Sequence, residues 1–321
     1  LVRLSAIRAL GRLDRPEGVA PLASLAAHRG REAQAALLAL AGMRTPEATA
    51  ALAALGAPAV QDLEDLPSAG ASGRTVHVDA TAGDDGNAGT ADAPFRTLSR
   101  GVLELRPGAG DTLLATAGDE SVPFREEVDV LPQSSGTAGA PTVLRAWPGR
   151  PPPVLDGELA GAPGEPGMGI GLHVGASFVR IEDFTVRHYK ESGIDLSGSE
   201  GNALVRCTAE RCERHGLFVY YSVGATLVEP TVRDCGAQGI SVRSSPHTVI
   251  VGGQSMNNGI DGLLLLQDSD DVVVDGLISR GNARGIAFTT GSNRGRVLRV
   301  DVEGNRDAGI AVEADSDATV L

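Results

Sequence analysis

GIDLS (193–197), GLFVY (216–220), GISVR (239–243), GLLLL (262–266) and GIAFT (285–289) are one pattern written repeatedly. After each glycine the first and third residues are apolar, and the residues between them vary. The pattern continues outward to Gly171-Leu172 on one side and Gly309-Ile310 on the other. Successive glycines stand 22, 23, 23, 23, 23 and 24 residues apart. Period-two alternation is the mark of a strand with one buried face. Ahead of each glycine a second apolar triplet recurs: VRI (179–181), ALV (203–205), TLV (226–228), VIV (249–251), VVV (272–274) and RVL (296–298).

A unit this short, built from short strands, cannot bury its apolar face alone and must stack on its neighbours. A leucine-rich repeat would need a Leu/Asn consensus and a helix. A propeller blade would need a unit about twice as long. The period and composition predict a mainly β chain, a right-handed parallel β-helix solenoid over 74–321 with roughly nine or ten coils. Residues 74–157 form its N-terminal cap and first coils, and 158–321 its regular coils. The repeating glycine is expected at the sharp corners.

Stacking brings equivalent residues within ~4.8 Å of each other, in columns. Opposite charges then alternate: Arg187, Glu210, Arg233 in one column and Asp183, Arg206, Glu229 in another. Lys190 faces Glu213, and Glu191 faces Arg214. Tyr189, Cys212, Cys235 and Asn258 read as an inward ladder with free thiols.

Residues 1–56 differ. LGRLDRPEGVAPL (10–22) recurs thirty residues on as LAGMRTPEATAAL (40–52). Each copy places Pro-Glu in a helix's first turn, where proline's missing amide hydrogen costs nothing and Glu complements the dipole. This small α-helical segment resembles short HEAT-like repeats, which implies a scaffold for a protein partner. Residues 57–73 read as a linker. The chain starts inside an amphipathic pattern and stops where a strand should begin, so it is read as a fragment.

Composition narrows the function. The 28 basic and 41 acidic residues give a net charge of −13, which repels phosphate backbones and argues against nucleic acid as a partner. No apolar run approaches the ~18 residues needed to span a bilayer. The 3 cysteines are too few for a disulfide framework.

The opening coils carry a specific resemblance. RTVHVD (74–79), the loop DDGNAGT (84–90), APFRTL (93–98) and RPGAGDT (106–112) follow one another in the order found in secreted pectate-lyase-like β-helix proteins. These include family 9 polysaccharide lyases. With the later repeats the resemblance covers about three quarters of the chain. It implies an extracellular or cell-envelope protein that binds, and in its enzymatic members cleaves, an acidic polysaccharide. Lyases and epimerases of this kind remove the C5 proton with a base and neutralise the neighbouring carboxylate with Ca²⁺ or Arg.

Applied to this chain, the resemblance implies Lys190, the only lysine, as base and Arg187 as carboxylate clamp, with Glu191 and Asp195 as Ca²⁺ ligands. Asp85 and Asn87 have part of a calcium-loop spacing. They equally fit Asx turns that satisfy backbone amides. The stacked Asp column of family 9 lyases and the Asp-Pro-His-Asp pattern of alginate epimerases are both absent.

Outward positions two and four after each glycine form the candidate substrate face: His173, Asp195, Phe218, Tyr220, Arg243, Leu264 and Leu266. Sugar rings stack on aromatic faces, and Arg243 suits a uronate. The same apolar residues, Phe218, Tyr220, Leu264 and Leu266, suit a protein partner. Two functions remain open: a secreted or cell-envelope protein that binds an acidic polysaccharide and, if an enzyme, acts on it as a lyase or uronate epimerase, and a non-catalytic structural, adhesion or protein-interaction module.

Overall fold

A computed structural model describes residues 15–26, 47, 50, 51, 73–117, 122–158, 167–313 and 315–320. The chain divides into two units, Leu1–Ser68 and Ala69–Leu321. In the first, a 3-10 turn at Pro16–Gly18 leads into a helix at Val19–Ala26. Pro16 opens the turn with Glu17 beside it, and Val19 and Leu22 are buried. Most of the helical repeat expected over 1–56, and of the linker at 57–73, lies outside the described residues.

The second unit is a right-handed parallel β-helix. Each coil visits three sheets in turn. Sheet I has ten strands, from Thr75–Asp79 to Ala318–Val320. Sheet II has seven, from Val154–Asp156 to Asp301–Glu303, and sheet III has eight, from Val128–Val130 to Ala308–Val312. Every strand pairs in parallel with its counterpart one coil on. In sheet III the register runs Ile194, Leu217, Ile240, Leu263, Ile286, Ile310. From Ile194 to Ile286 all are fully buried, so the period-two reading holds.

Each corner turns on a residue with left-handed backbone. After sheet I these are Asp183, Arg206, Glu229, Gly252, Gly276 and Arg299. After sheet II they are His188, Arg211, Asp234, Asn257, Gly281 and Gly304. The repeating glycines of the sequence motif are not among them, which corrects their expected role. They are needed because the wall is crowded. A Cβ on Gly239 would lie 2.1 Å from Ser255 Oγ, and one on Gly216 2.2 Å from Val232 Cγ1.

One apolar core fills the solenoid, drawn from all three sheets. A short helix at Leu98–Val102 adds Leu98 and Val102, and Phe95 adds its ring. Thr97 caps this helix, and the Glu126 carboxylate accepts the amides of Leu98 (2.8 Å) and Ser99 (3.0 Å).

The core also holds polar ladders. Asn258, Asn282 and Asn305 pass side-chain hydrogen bonds from coil to coil, at 3.0 and 3.2 Å. Serines 199, 222, 245 and 269 link each amide to the hydroxyl one coil on. Tyr189, Cys212 and Cys235 are buried as expected, and all three cysteines are free thiols.

The charged columns form in part. Arg206 binds Asp183 through two hydrogen bonds, at 2.7 and 3.0 Å. Arg233 pairs with Glu210, and Arg214 with Glu191. The expected Lys190–Glu213 pair does not form among the described residues. One Glu213 carboxylate oxygen is instead buried without a hydrogen-bond partner.

Candidate functional site

The outer face of sheet III gathers most of the side chains with chemistry to offer. One outward column runs Asp129, His173, Asp195, Phe218, Ser241, Leu264. The next runs Ser197, Tyr220, Arg243, Leu266. His173 Nδ1 lies 3.0 Å from Asp129 Oδ1. Asp195, only 6% exposed, accepts a hydrogen bond from Ser197 Oγ. Burial lifts its carboxyl above the ordinary range, against the opposing pull of Ser197 and His173.

Beside this row stands an aromatic ridge along the His215–Tyr220 strand. His215 stacks on Phe218 at 5.0 Å, and Phe218 on Tyr220 at 5.3 Å with planes 13° apart. Tyr221 leans on Tyr220 at 4.3 Å. The Arg243 guanidinium sits 5.3 Å from the Tyr220 ring centre. Burial, aided by Arg214, depresses the His215 imidazole to about 4, so it is neutral at pH 7.

The ring faces of Phe218 and Tyr220 are largely occupied by each other. These rings are half-buried, not the open platforms expected from sequence. Leu264 departs further, being only 9% exposed. At ~4.8 Å between coils, outward side chains shield one another. The continuous apolar patch expected over Phe218, Tyr220, Leu264 and Leu266 is therefore broken.

The open aromatic is Tyr221, 59% exposed, which the sequence reading passed over. It lines a groove of about 580 Å³ with Ser244, Pro246, Gln267, Asp268 and Thr290. This corner follows sheet III. It turns on one left-handed residue in earlier coils (Gly198, Tyr221, Ser244) and on two in later ones (Gln267–Asp268, Thr290–Gly291). Between the paired residues Val242 and Leu265 and the linked serines Ser245 and Ser269, the corner lengthens from three residues to four. The longer corner contributes Gln267 and Asp268 to the groove. A bulky ring at a left-handed position is strained, and such strain collects at functional sites.

The other sequence candidates are dispersed. Arg187 Nε donates to Asp156 at 2.8 Å, and His188 Nδ1 lies 3.0 Å from the same carboxylate. Lys190 and Glu191 occupy the corner between sheets II and III, where Glu191 pairs with Arg214. Asp195 lies further on, on sheet III. Among the described residues no three His, Cys, Asp or Glu side chains converge as a metal site would require. Asp85 accepts the amides of Arg96 and Thr97 (2.9 Å each), and Asn87 donates to the Pro94 carbonyl (2.9 Å). Both serve the backbone of their loop. No described helix is long and apolar enough to cross a membrane.

The face and groove thus belong to a right-handed parallel β-helix. A family model described as a right handed beta helix region matches residues 169–321. The chain is similar in structure to pectate lyase Pel9A, with a TM-score of 0.60 and 15% identity, over 80% of each chain. It is also similar to XylC solved with xylose, with a TM-score of 0.62 and 12% identity. That match covers 77% of this chain and 65% of the other, so this chain spans just under two thirds of XylC. The A-module of the Azotobacter vinelandii mannuronan C-5 epimerase AlgE6 matches at TM-score 0.51 and 19% identity, over 75% and 72% of the two chains. These likenesses define the fold. No curated protein matches the sequence.

Proposed function

We propose that this β-helix binds an acidic polysaccharide across the outer face of sheet III. The observation that carries the reading is the aromatic ridge with Arg243 on its flank, opening into the Tyr221 groove. Ring edges and hydroxyls suit sugar contacts, and Arg243 supplies a cation for a uronate carboxylate. The fold it shares with a pectate lyase and a mannuronan epimerase supports the same class of ligand. With it goes an extracellular or cell-envelope location, where such polymers occur.

The test is affinity electrophoresis against polygalacturonate, alginate and xylan, with and without Ca²⁺, on the wild type, Tyr220→Ala and Arg243→Gln. Retardation by an acidic polymer, weakened about tenfold in each variant, is expected; that factor is about 1.4 kcal/mol. Retardation by none of the polymers would favour the structural or protein-interaction reading.

A specific observation favours cleavage as a second reading. His173, oriented by Asp129, stands next in register to Asp195, whose buried carboxyl holds a proton more readily than usual. His173 would take the C5 proton, and Asp195, in its acid form, would give one to the departing O4. The C4–O4 bond breaks as C4=C5 forms. Lys190 is the competing base, with Arg187 as clamp and Ca²⁺ held by Glu191 and Asp195. Ultraviolet absorbance of unsaturated uronate separates the two. Loss of product in His173→Ala with retention in Lys190→Ala assigns His173, and the converse assigns Lys190.

A further inference from the structure

The Tyr221 groove differs in character from the ridge it adjoins. Its lining is one exposed ring, one proline, three neutral polar side chains and one carboxylate. No cation lines it. The nearest cation, Arg243, lies on the ridge side, with its Nε 2.6 Å from Gln267 Oε1 and its guanidinium beside the Tyr220 ring. Asp268, in contrast, enters no ion pair among the described residues. A carboxylate and an open aromatic ring lining one groove have the chemistry of hydroxyl recognition. The carboxylate accepts from adjacent sugar hydroxyls while the ring packs on the apolar face of the pyranose. The same carboxylate repels a uronate.

We propose that the groove of Tyr221, Ser244, Pro246, Gln267, Asp268 and Thr290 is a subsite for one uncharged pyranose unit. Resting on the polysaccharide reading above, it implies a bound polymer that carries neutral sugars beside its acidic ones. The local backbone fits this use. Tyr221 takes a left-handed conformation, φ 47°, where Gly198 and Ser244 stand one coil away on either side. The longer corner at Gln267–Asp268 supplies the carboxylate.

The test is saturation-transfer difference NMR with the methyl glycosides of glucose, galactose, mannose and xylose, set against methyl glucuronate and galacturonate glycosides. Proteins are the wild type, Tyr221→Asn and Asp268→Asn. Asparagine tolerates left-handed backbone, so Tyr221→Asn removes the ring without loading the corner, and circular dichroism checks its fold. At least one neutral glycoside is expected to bind the wild type at least fivefold more tightly than either uronate. Tyr221→Asn should lose that binding, and Asp268→Asn should narrow the preference. Equal binding of uronates, unchanged binding in Tyr221→Asn, or no neutral binding at all would overturn the subsite. Polymer retardation that still depends on Tyr220 and Arg243 would then leave the wider reading standing, so the two failures are distinguishable.

Discussion

Asp195 and Phe218 stand directly opposite each other in register on the outer face of sheet III, one coil apart. A nearly buried carboxylate is thereby set against a phenyl ring on one side and His173 on the other. Burial raises its pKa in the folded chain. The sign follows: the folded state holds this proton more tightly than the unfolded state, so ionised Asp195 costs stability at neutral pH. That cost shrinks as pH falls through the folded-state value. Asp195→Asn is expected to be more stable than the wild type to urea at pH 7. The gain should vanish below about pH 4, where both states are protonated. A destabilised variant at pH 7 would show that the carboxylate is structural.

The glycine column gives a second expectation. Gly239→Ala would drive a methyl group into Ser255 Oγ at 2.1 Å and Asn258 Nδ2 at 2.5 Å. Overpacking of this kind costs about 1–3 kcal/mol or more. At Gly309 the nearest atom is Val302 Cγ1 at 3.6 Å, so Gly309→Ala should change stability by less than about 0.5 kcal/mol. Similar losses at the two sites, measured by chemical denaturation, would contradict the crowding argument.

Asn282 joins three coils through one amide. The two hydrogens of its Nδ2 are shared among the Ser255 carbonyl (3.0 Å), Ser279 Oγ (3.1 Å) and Asn305 Oδ1 (3.2 Å), while its Oδ1 accepts from the Asn258 backbone amide (2.8 Å). Asn282→Leu strands several buried partners, each worth about 1–3 kcal/mol. A loss of at least about 3 kcal/mol is expected in equilibrium unfolding. A near-neutral result would mean that water replaces the ladder.

Near the N-terminal cap, Asp111 is fully buried, which alone would raise its pKa. The Arg106 guanidinium and the amides of Arg106 and Arg74 prevail and hold it at about 2. Because the folded value is depressed, this group's stabilisation is complete above the ordinary value near 3.8 and is lost as pH falls through about 2. Up to about 2 kcal/mol rides on it. Asp111→Asn should flatten the fall in stability between pH 5 and pH 2. An unchanged pH profile would remove Asp111 from acid unfolding.

Much of the fold is legible in the chain because sheet III carries aliphatic residues at strict period two and sheet I a recurring apolar triplet. Leu217 and Val219, for instance, are both fully buried. Sheet II is hidden because its strands present one inward residue each and that residue changes in character from coil to coil. That residue is Val186, Ala209 or Val232 in some coils and Ser255 or Ser279 in others. The serine ladder is hidden for a related reason. Its spacing from the motif glycine shifts from six residues at Ser245 to seven at Ser269, because the corner gains a residue. That same shift moves Asp268 out of column, while Tyr221, five residues after its glycine like Gly198 and Ser244, is passed over because period two takes only the second and fourth positions as outward. Asp129 is missed because the irregular opening coils give it no register until the strands are paired. Phe218, Tyr220, Arg243, His173 and Asp195 are legible because the repeat itself points them outward.

Binding across sheet III is tested most directly by a crystal structure of the protein soaked with an oligosaccharide of the polymer that retards it. Sugar density is expected to run beside Phe218 and Tyr220 and to meet Arg243 with a carboxylate, and any unit that enters the Tyr221 groove is expected to be uncharged. An oligosaccharide ordered on sheet I or sheet II, with the ridge and groove empty, would contradict the assignment of this face.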